Sequence, residues 1–137
     1  MPNASAFVLT ALIAWTLFLL VLMEGLRVRY LATKAIAANE FKPDNLNLSP
    51  FMQRLARAHA NCIESFPIIG GLLVVALLMN SAGVTDSLAP WLLVARLVQS
   101  SIHLVSTSVL AANLRFLAFA VQMAIAVYWL WALLALP

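Results

Sequence analysis

Four long apolar stretches dominate this chain and decide what it can fold into. One of them, residues 87–114, is interrupted only by Arg96 and His103. The other three contain no charged side chain: residues 1–23, 65–85 and 116–137. Each stretch is close to or above the ~20 residues that cross ~30 Å of hydrocarbon as a helix. The pattern predicts an all-α membrane protein, a four-transmembrane-helix bundle.

Composition supports lipid as the solvent. Apolar residues make up 64% of the chain and charged residues 9%, against roughly 45–50% and 25% in a soluble domain. The length of 137 residues fits one domain, residues 1–137. The first stretch could instead be a cleaved signal peptide, but it lacks a preceding basic residue and is too long. The single cysteine, Cys62, excludes an intrachain disulfide, and no metal site is expected.

The basic side chains lie at one end of the predicted helices. They occupy the first and third connections and the opening turns of helix 2: Arg27, Arg29, Lys34, Lys42, Arg54, Arg57 and Arg115. The positive-inside rule makes these connections cytoplasmic and puts both termini on the opposite side. The charges are few and line one membrane face, so we expect no nucleic-acid partner.

Local signals predict the helix limits. Helix 1 is expected over about 6–26, and Ser49-Pro50 marks the start of a helix that runs to about 79. Helices 3 and 4 are expected over about 87–112 and 115–137. Three aromatic residues near the end of helix 4 are expected to form a belt at the outer headgroups: Tyr128, Trp129 and Trp131.

Polar side chains follow one face of helix 2 and one face of helix 3. At 100° per residue, Arg54, Arg57, Asn61 and Glu64 fall within an arc of about 80°. His59 lies roughly 160° from Arg57 and needs its own partner or another subunit.

On helix 3, Arg96, Gln99, His103 and Ser106 define a second stripe, which Arg115 continues on helix 4. Since lipid offers these groups no partner, the stripes are expected to face one another or a wet cavity, with Glu64 pairing with Arg96. They could simply hold the bundle together. However, several cationic side chains at one depth in the membrane also suggest that an anionic ligand binds there.

The segment 57–67, R-A-H-A-N-C-I-E-S-F-P, resembles the MAPEG family, membrane-associated proteins in eicosanoid and glutathione metabolism. The family pattern R-x-x-x-N-x-x-E-x-x-P is met by Arg57, Asn61, Glu64 and Pro67. The resemblance covers the whole chain in architecture and helix 2 at residue level. It implies a homotrimer of four-helix subunits with glutathione bound between subunits near the cytoplasmic side.

The resemblance also implies roles for individual residues. Glutathione would be held by Arg57, Asn61, Glu64, Arg96, Gln99 and His103, with Arg27 and His59 contributed across the interface. Two of these, Gln99 and His103, stand where the synthase branch has tyrosines. Arg115 resembles the catalytic arginine near the glutathione sulfur, although its spacing from Arg96 is a few residues longer than in the synthases. A guanidinium there would favour the thiolate, the nucleophilic form.

The function implied is a glutathione-dependent transferase or peroxidase acting on a lipophilic small-molecule substrate, in a bacterial inner membrane among its lipids. The alternative is a non-catalytic lipid-binding or adaptor protein on the same scaffold, which loss of the two tyrosines favours. A transporter or channel subunit would need a continuous polar path, and the outer halves of helices 1, 2 and 4 are too apolar for one.

Overall fold

The computed structural model describes residues 3–137, so the first two residues of the expected domain lie outside it. Within that range the chain forms four α-helices and no strand, as predicted. Two short 3-10 turns lie in the connections, at Ala38–Glu40 and Ala82–Val84. The helices are α1 (Ala4–Ala32), α2 (Pro50–Leu78), α3 (Ala89–Val105) and α4 (Val109–Leu134).

Three of the four helices are long and apolar enough to cross a membrane: α1, α2 and α4. The apolar helix α3 has 17 residues and is about 26 Å long. Large apolar side chains cover the outside of the bundle, for example Phe7 at 62% and Val127 at 69% exposure. Such a surface is stable in lipid and not in water. The fold is therefore a helical membrane bundle, which confirms the predicted class.

Helix α1 extends beyond the predicted end near residue 26 and stops at Ala32. Its end is formed by Lys34, whose left-handed backbone (φ 55°) turns the chain. The amide of Ala35 then donates to the carbonyl oxygen of Tyr30 at 3.1 Å. This left-handed C-terminal turn satisfies carbonyls that would otherwise lack partners. A single glycine, Gly25, does not end the helix.

The predicted boundary between helices 3 and 4 is wrong. The third helix ends at Val105 instead of near 112, and α4 begins at Val109 instead of near 115. Ser106 is extended (φ −151°, ψ 151°), and its hydroxyl accepts from the amide of Ser108 at 3.1 Å. The Ser108 hydroxyl in turn accepts from the amide of Ala111 and caps α4. Hydroxyl side chains compete with helical hydrogen bonds, so this Ser-Thr-Ser run breaks the helix.

The three aromatic residues of the predicted belt do not share one face of α4. Tyr128 and Trp131 are exposed and their ring centroids lie 6.4 Å apart. Trp129 is fully buried and packs in the core against residues of α1, α2 and α3. Consecutive helical residues point 100° apart, so Trp129 can face the core while its neighbour Tyr128 faces outward.

Two apolar clusters form the core. One, containing Val8, Leu73 and Trp129, lies toward the start of α1. The other, containing Leu19 and Leu55, lies toward the long first connection. The amide and hydroxyl of Ser5 donate to one carboxylate oxygen of Asp86 at 2.8 and 2.6 Å. These bonds fix the start of α1 to the connection between α2 and α3.

The first connection, residues 33–49, is folded onto the ends of α1 and α2. Asn45 is fully buried there and has a left-handed backbone (φ 56°). Its side-chain amide donates to the carbonyl of Met52 at 2.8 Å, and its oxygen accepts from Nη2 of Arg27 at 2.6 Å. One side chain thus joins the end of α1 to the first turn of α2.

We expect Asn45→Ala to lower the free energy of unfolding by about 1–3 kcal/mol, because it leaves the Met52 carbonyl and the Arg27 guanidinium without their buried partner. Thermal unfolding in detergent, followed by circular dichroism, measures this. Asn80→Ala is the matched control, since Asn80 has a similar backbone (φ 53°), is exposed, and makes no side-chain hydrogen bond among residues 3–137. Equal losses in the two variants would contradict the role given to the Asn45 side chain.

Candidate functional site

A ladder of polar contacts joins α2 to the antiparallel α3. Nδ2 of Asn61 lies 3.2 Å from Nδ1 of His103, and Sγ of Cys62 lies 3.4 Å from Oγ of Ser100. Deeper in the bundle, Nη2 of Arg96 donates to Oγ of Ser65. The α3 residues occur at intervals of three or four, so all project toward α2. The ladder runs from mid-bundle toward the basic end of the subunit.

The polar face of α3 also meets α4. Gln122 is fully buried, and its Nε2 donates to Oε1 of Gln99 at 2.9 Å and to the carbonyl of Ala118 at 3.1 Å. The prediction that the polar stripes of helices 2, 3 and 4 face one another is therefore correct in part. Asn61 on α2 contacts His103 on α3, and Gln99 on α3 contacts Gln122 on α4. The exceptions are Ser106, which lies beyond the end of α3, and Glu64 and Arg57, which are exposed.

The predicted pairing of Glu64 with Arg96 is wrong within the subunit. Arg96 is 3% exposed and turns to Ser65, while Glu64 is exposed on the outer side of α2. The only salt bridge within residues 3–137 joins Arg27 to Glu24, at 2.8 Å. Adjacent helical positions point 100° apart, so when Ser65 faces α3 its neighbour Glu64 must face outward.

His103 is 4% exposed and contacts one other candidate residue, Asn61. If the Asn61 amide donates to Nδ1, the imidazole carries its proton on Nε2. The guanidinium groups of Arg115 and Arg57 both lie within electrostatic range of this ring. Thus α2 and α3 bring Asn61 and His103 into contact, and Arg115 of α4 lies near enough to interact electrostatically with the imidazole.

A polar vestibule opens at the loop end of the subunit. Its volume is about 370 Å³, and it is lined by Asp44, Leu46, Pro50, Gln53, Arg54, Arg57 and Thr107. Nε of Arg54 donates to the carbonyl of Leu104 at 2.8 Å, which fixes that arginine against the end of α3. Arg57 is exposed and makes no hydrogen bond or salt bridge within residues 3–137. The guanidinium of Arg57 is therefore free to bind an anion.

Some buried polar atoms of the site have no hydrogen-bond partner within residues 3–137. They are Nη1 of Arg96, Nε2 of His103, Nε of Arg115 and Oε1 of Gln122. Unsatisfied buried polar groups are few in folded proteins and each needs an explanation. The donors on His103 and Arg115 are therefore available to an anionic or polar ligand.

Arg27 and His59 lie on a different flank of the subunit, formed by α1 and α2. Arg27 contacts Glu24 and Asn45, and its guanidinium carbon lies 5.7 Å from the centroid of the Phe41 ring. His59 lines an apolar groove of about 260 Å³. This imidazole is within electrostatic range of Glu24 and Arg27.

The nine candidate residues therefore fall into three groups. Arg57 lines the vestibule, Asn61 contacts His103, and Arg115 lies within electrostatic range of that imidazole. Arg96 and Gln99 are held deeper by Ser65 and Gln122. Arg27, His59 and Glu64 lie apart from both groups.

Sequence reasoning did not find Ser65, Ser100 or Asn45. The two serines carried a signal, since each stands three or four residues from a polar residue that was singled out. Asn45 carried none beyond its place in a polar loop.

No group of three or more His, Cys, Asp or Glu side chains able to hold a metal ion occurs within residues 3–137. The chemistry available at the vestibule is that of guanidinium, imidazole and amide groups. These groups bind carboxylates and stabilise developing negative charge.

Comparison with known proteins gives one positive result. Residues 5–135 match the family described as MAPEG. The searches of curated proteins and of solved structures found no match. The family match covers nearly the whole chain and agrees with the four apolar helices and the motif formed by Arg57, Asn61, Glu64 and Pro67. The chain belongs to the MAPEG family.

Proposed function

We propose that this protein is an integral membrane, glutathione-dependent transferase or peroxidase that acts on lipophilic electrophiles. The observation that carries the proposal is the pairing of Asn61 with His103, within electrostatic range of Arg115 and of Arg57, which lines an open polar vestibule. Membership of the MAPEG family supports the glutathione chemistry.

The charged and polar candidate residues fit glutathione chemically. The tripeptide carries two carboxylates and one ammonium group, which call for cationic donors and one anionic acceptor. Arg57 can bind a carboxylate through its unpaired guanidinium, and the exposed Glu64 can accept from the ammonium. The unpartnered Nε of Arg115 and Nε2 of His103 provide further donors in the buried part of the site.

Bound glutathione would supply the nucleophilic sulfur, and the protein would supply the positive charge that stabilises the thiolate. Arg115 is half-buried, so its charge is screened less than an exposed one. A guanidinium held near the sulfur favours the thiolate over the thiol. Arg57 and Asn61 then bind and orient the peptide, which keeps the sulfur beside Arg115.

Our proposal includes a homotrimer with the site at the seam between subunits. The position of His59 supports it, because His59 lines the α1–α2 groove, which shares no lining residue with the vestibule. If one subunit supplies the vestibule and its neighbour the α1–α2 flank, both sets can contact one ligand. The outward-facing carboxylate of Glu64 also gains polar partners there, whereas in lipid it would cost several kcal/mol.

A lipophilic substrate can approach from the bilayer along the groove that contains His59. The other lining residues, on α1 and α2, are mainly apolar: Ile13, Thr16, Leu17, Leu20, Ile63 and Phe66. An apolar electrophile could thus reach the seam without crossing water.

A second candidate function is non-catalytic lipid binding or adaptor activity. One observation favours it: Gln99 is tied to Gln122, so its oxygen is already used inside the bundle. If the remaining side chains do not hold glutathione productively, the vestibule and groove become a binding surface alone.

Arg57→Gln is expected to weaken glutathione binding about 10- to 100-fold, the effect of losing one charge-assisted hydrogen bond. Isothermal titration calorimetry on the purified protein in detergent measures the Kd. Lys42→Gln is the matched control, since Lys42 is exposed and its side chain makes no hydrogen bond or ion pair within residues 3–137. No measurable binding to the unmodified protein would overturn the glutathione proposal.

Arg115→Ala is expected to lower kcat about 100-fold, because the developing thiolate loses its guanidinium. Turnover is followed with chlorodinitrobenzene for transferase activity and a fatty-acid hydroperoxide for peroxidase activity. Arg115→Lys should restore part of the rate, since the charge is kept.

Light scattering during size exclusion checks the assembly in the same samples. A protein mass of three chains in both the unmodified protein and Arg115→Ala is expected. A monomer at all concentrations would contradict the site at the seam. Binding without turnover in the unmodified protein would favour the adaptor.

We also propose that the protein lies in a bacterial inner membrane. The positive-inside rule supports an orientation with both termini outside the cytoplasm. In a Cys62→Ser background, Gly83→Cys should react with an impermeant maleimide in spheroplasts, and Asn39→Cys should react only after lysis. Both positions are exposed. The reverse labelling pattern would show that the orientation is inverted.

A further inference from the structure

We propose that the groove between the end of α1 and the start of α2 binds one anionic phospholipid of the leaflet on the loop side. This groove has a volume of about 250 Å³ and is separate from the vestibule. It is lined by apolar residues, hydroxyl-bearing residues and a single cation, Arg29. The proposal does not depend on glutathione chemistry.

The depth of the groove matches the headgroup region. The charge-free part of α1 runs from Ala4 to Met23, about 30 Å of helix, which is the thickness of the hydrocarbon core. Leu26 follows within one turn, and Arg29 lies about 9 Å beyond Met23 along the axis. The groove therefore begins at the edge of the hydrocarbon and ends among the headgroups.

The polar rim of the groove is cationic and has no internal counter-charge. Arg29 is exposed, and its guanidinium makes no hydrogen bond or salt bridge within residues 3–137. Lys34, adjacent to the groove, is exposed and likewise unpaired. The hydroxyl of Tyr30 lines the same rim and is also without a hydrogen bond there. Cations at this depth attract anionic lipids, by about 1 kcal/mol each.

The floor of the groove is apolar. Leu26, Phe51 and Met52 line it, and Met52 is buried in the core. A soluble anion would use the rim and leave these side chains in water. A phospholipid satisfies both parts, since its phosphate reaches Arg29 while its acyl chain covers Leu26 and Phe51. An anionic headgroup is favoured over a zwitterionic one because two cations at the rim have no partner.

Native mass spectrometry of the full-length protein from mixed micelles tests the proposal. The probes are phosphatidylglycerol and phosphatidylcholine with identical acyl chains. We expect phosphatidylglycerol to be retained preferentially, and Arg29→Gln to reduce its apparent affinity about five-fold, the effect of one cation near an anionic headgroup. Arg29→Lys should restore most of that affinity. Lys42→Gln, which removes a charge of the same sign outside the groove, should have a smaller effect.

A second variant tests the shape of the site without changing its charge. Ala35 is exposed and lines the groove, so Ala35→Trp should fill it and reduce retention of phosphatidylglycerol at least as much as Arg29→Gln. Circular dichroism confirms that each variant is folded. Equal retention of the two lipids, equal effects of Arg29→Gln and Lys42→Gln, or full retention by Ala35→Trp would each overturn the proposal.

Discussion

The polar contacts between α2 and α3 are the interaction on which the rest of this subunit depends. Hydrocarbon offers no hydrogen-bond partner, so polar side chains in a membrane helix must be satisfied by other helices. Arg96 with Ser65 and His103 with Asn61 meet that requirement. They also fix the rotation of α3 about its axis. Because Ser65 of α2 contacts α3, its neighbour Glu64 lies on the outer side of α2.

The same packing separates polar and apolar features onto two parts of the subunit. Arg57 lines the polar vestibule, while His59 lines the apolar groove between α1 and α2. The two cavities share no lining residue. The function that we propose would use the first for a charged peptide and the second for an apolar substrate.

Much of the fold was predictable because lipid imposes strong constraints on sequence. The charge-free stretches located the helices, and Ser49-Pro50 located the first turn of α2 correctly. Arg96, Gln99 and His103 were assigned to one buried face of α3 correctly, since helical periodicity is fixed at 3.6 residues per turn. The errors fell where hydroxyl side chains compete for the backbone. Ser106 ends α3 and Ser108 caps α4. The hydropathy of this segment fits a continuous helix equally well, so the sequence pattern alone did not predict the break.

By itself, the sequence determined that this chain is a helical membrane bundle of the MAPEG type, with its basic residues at one end. Lipid excludes charge from the spanning segments, so a linear pattern is enough to establish that much. Only the tertiary structure decided which polar residues meet. Arg96 turns to Ser65 and not to Glu64, and Arg27 is held by Asn45 in the folded loop. Such pairings depend on how neighbouring helices are rotated and how a loop packs, and these are set by contacts between residues distant in the chain.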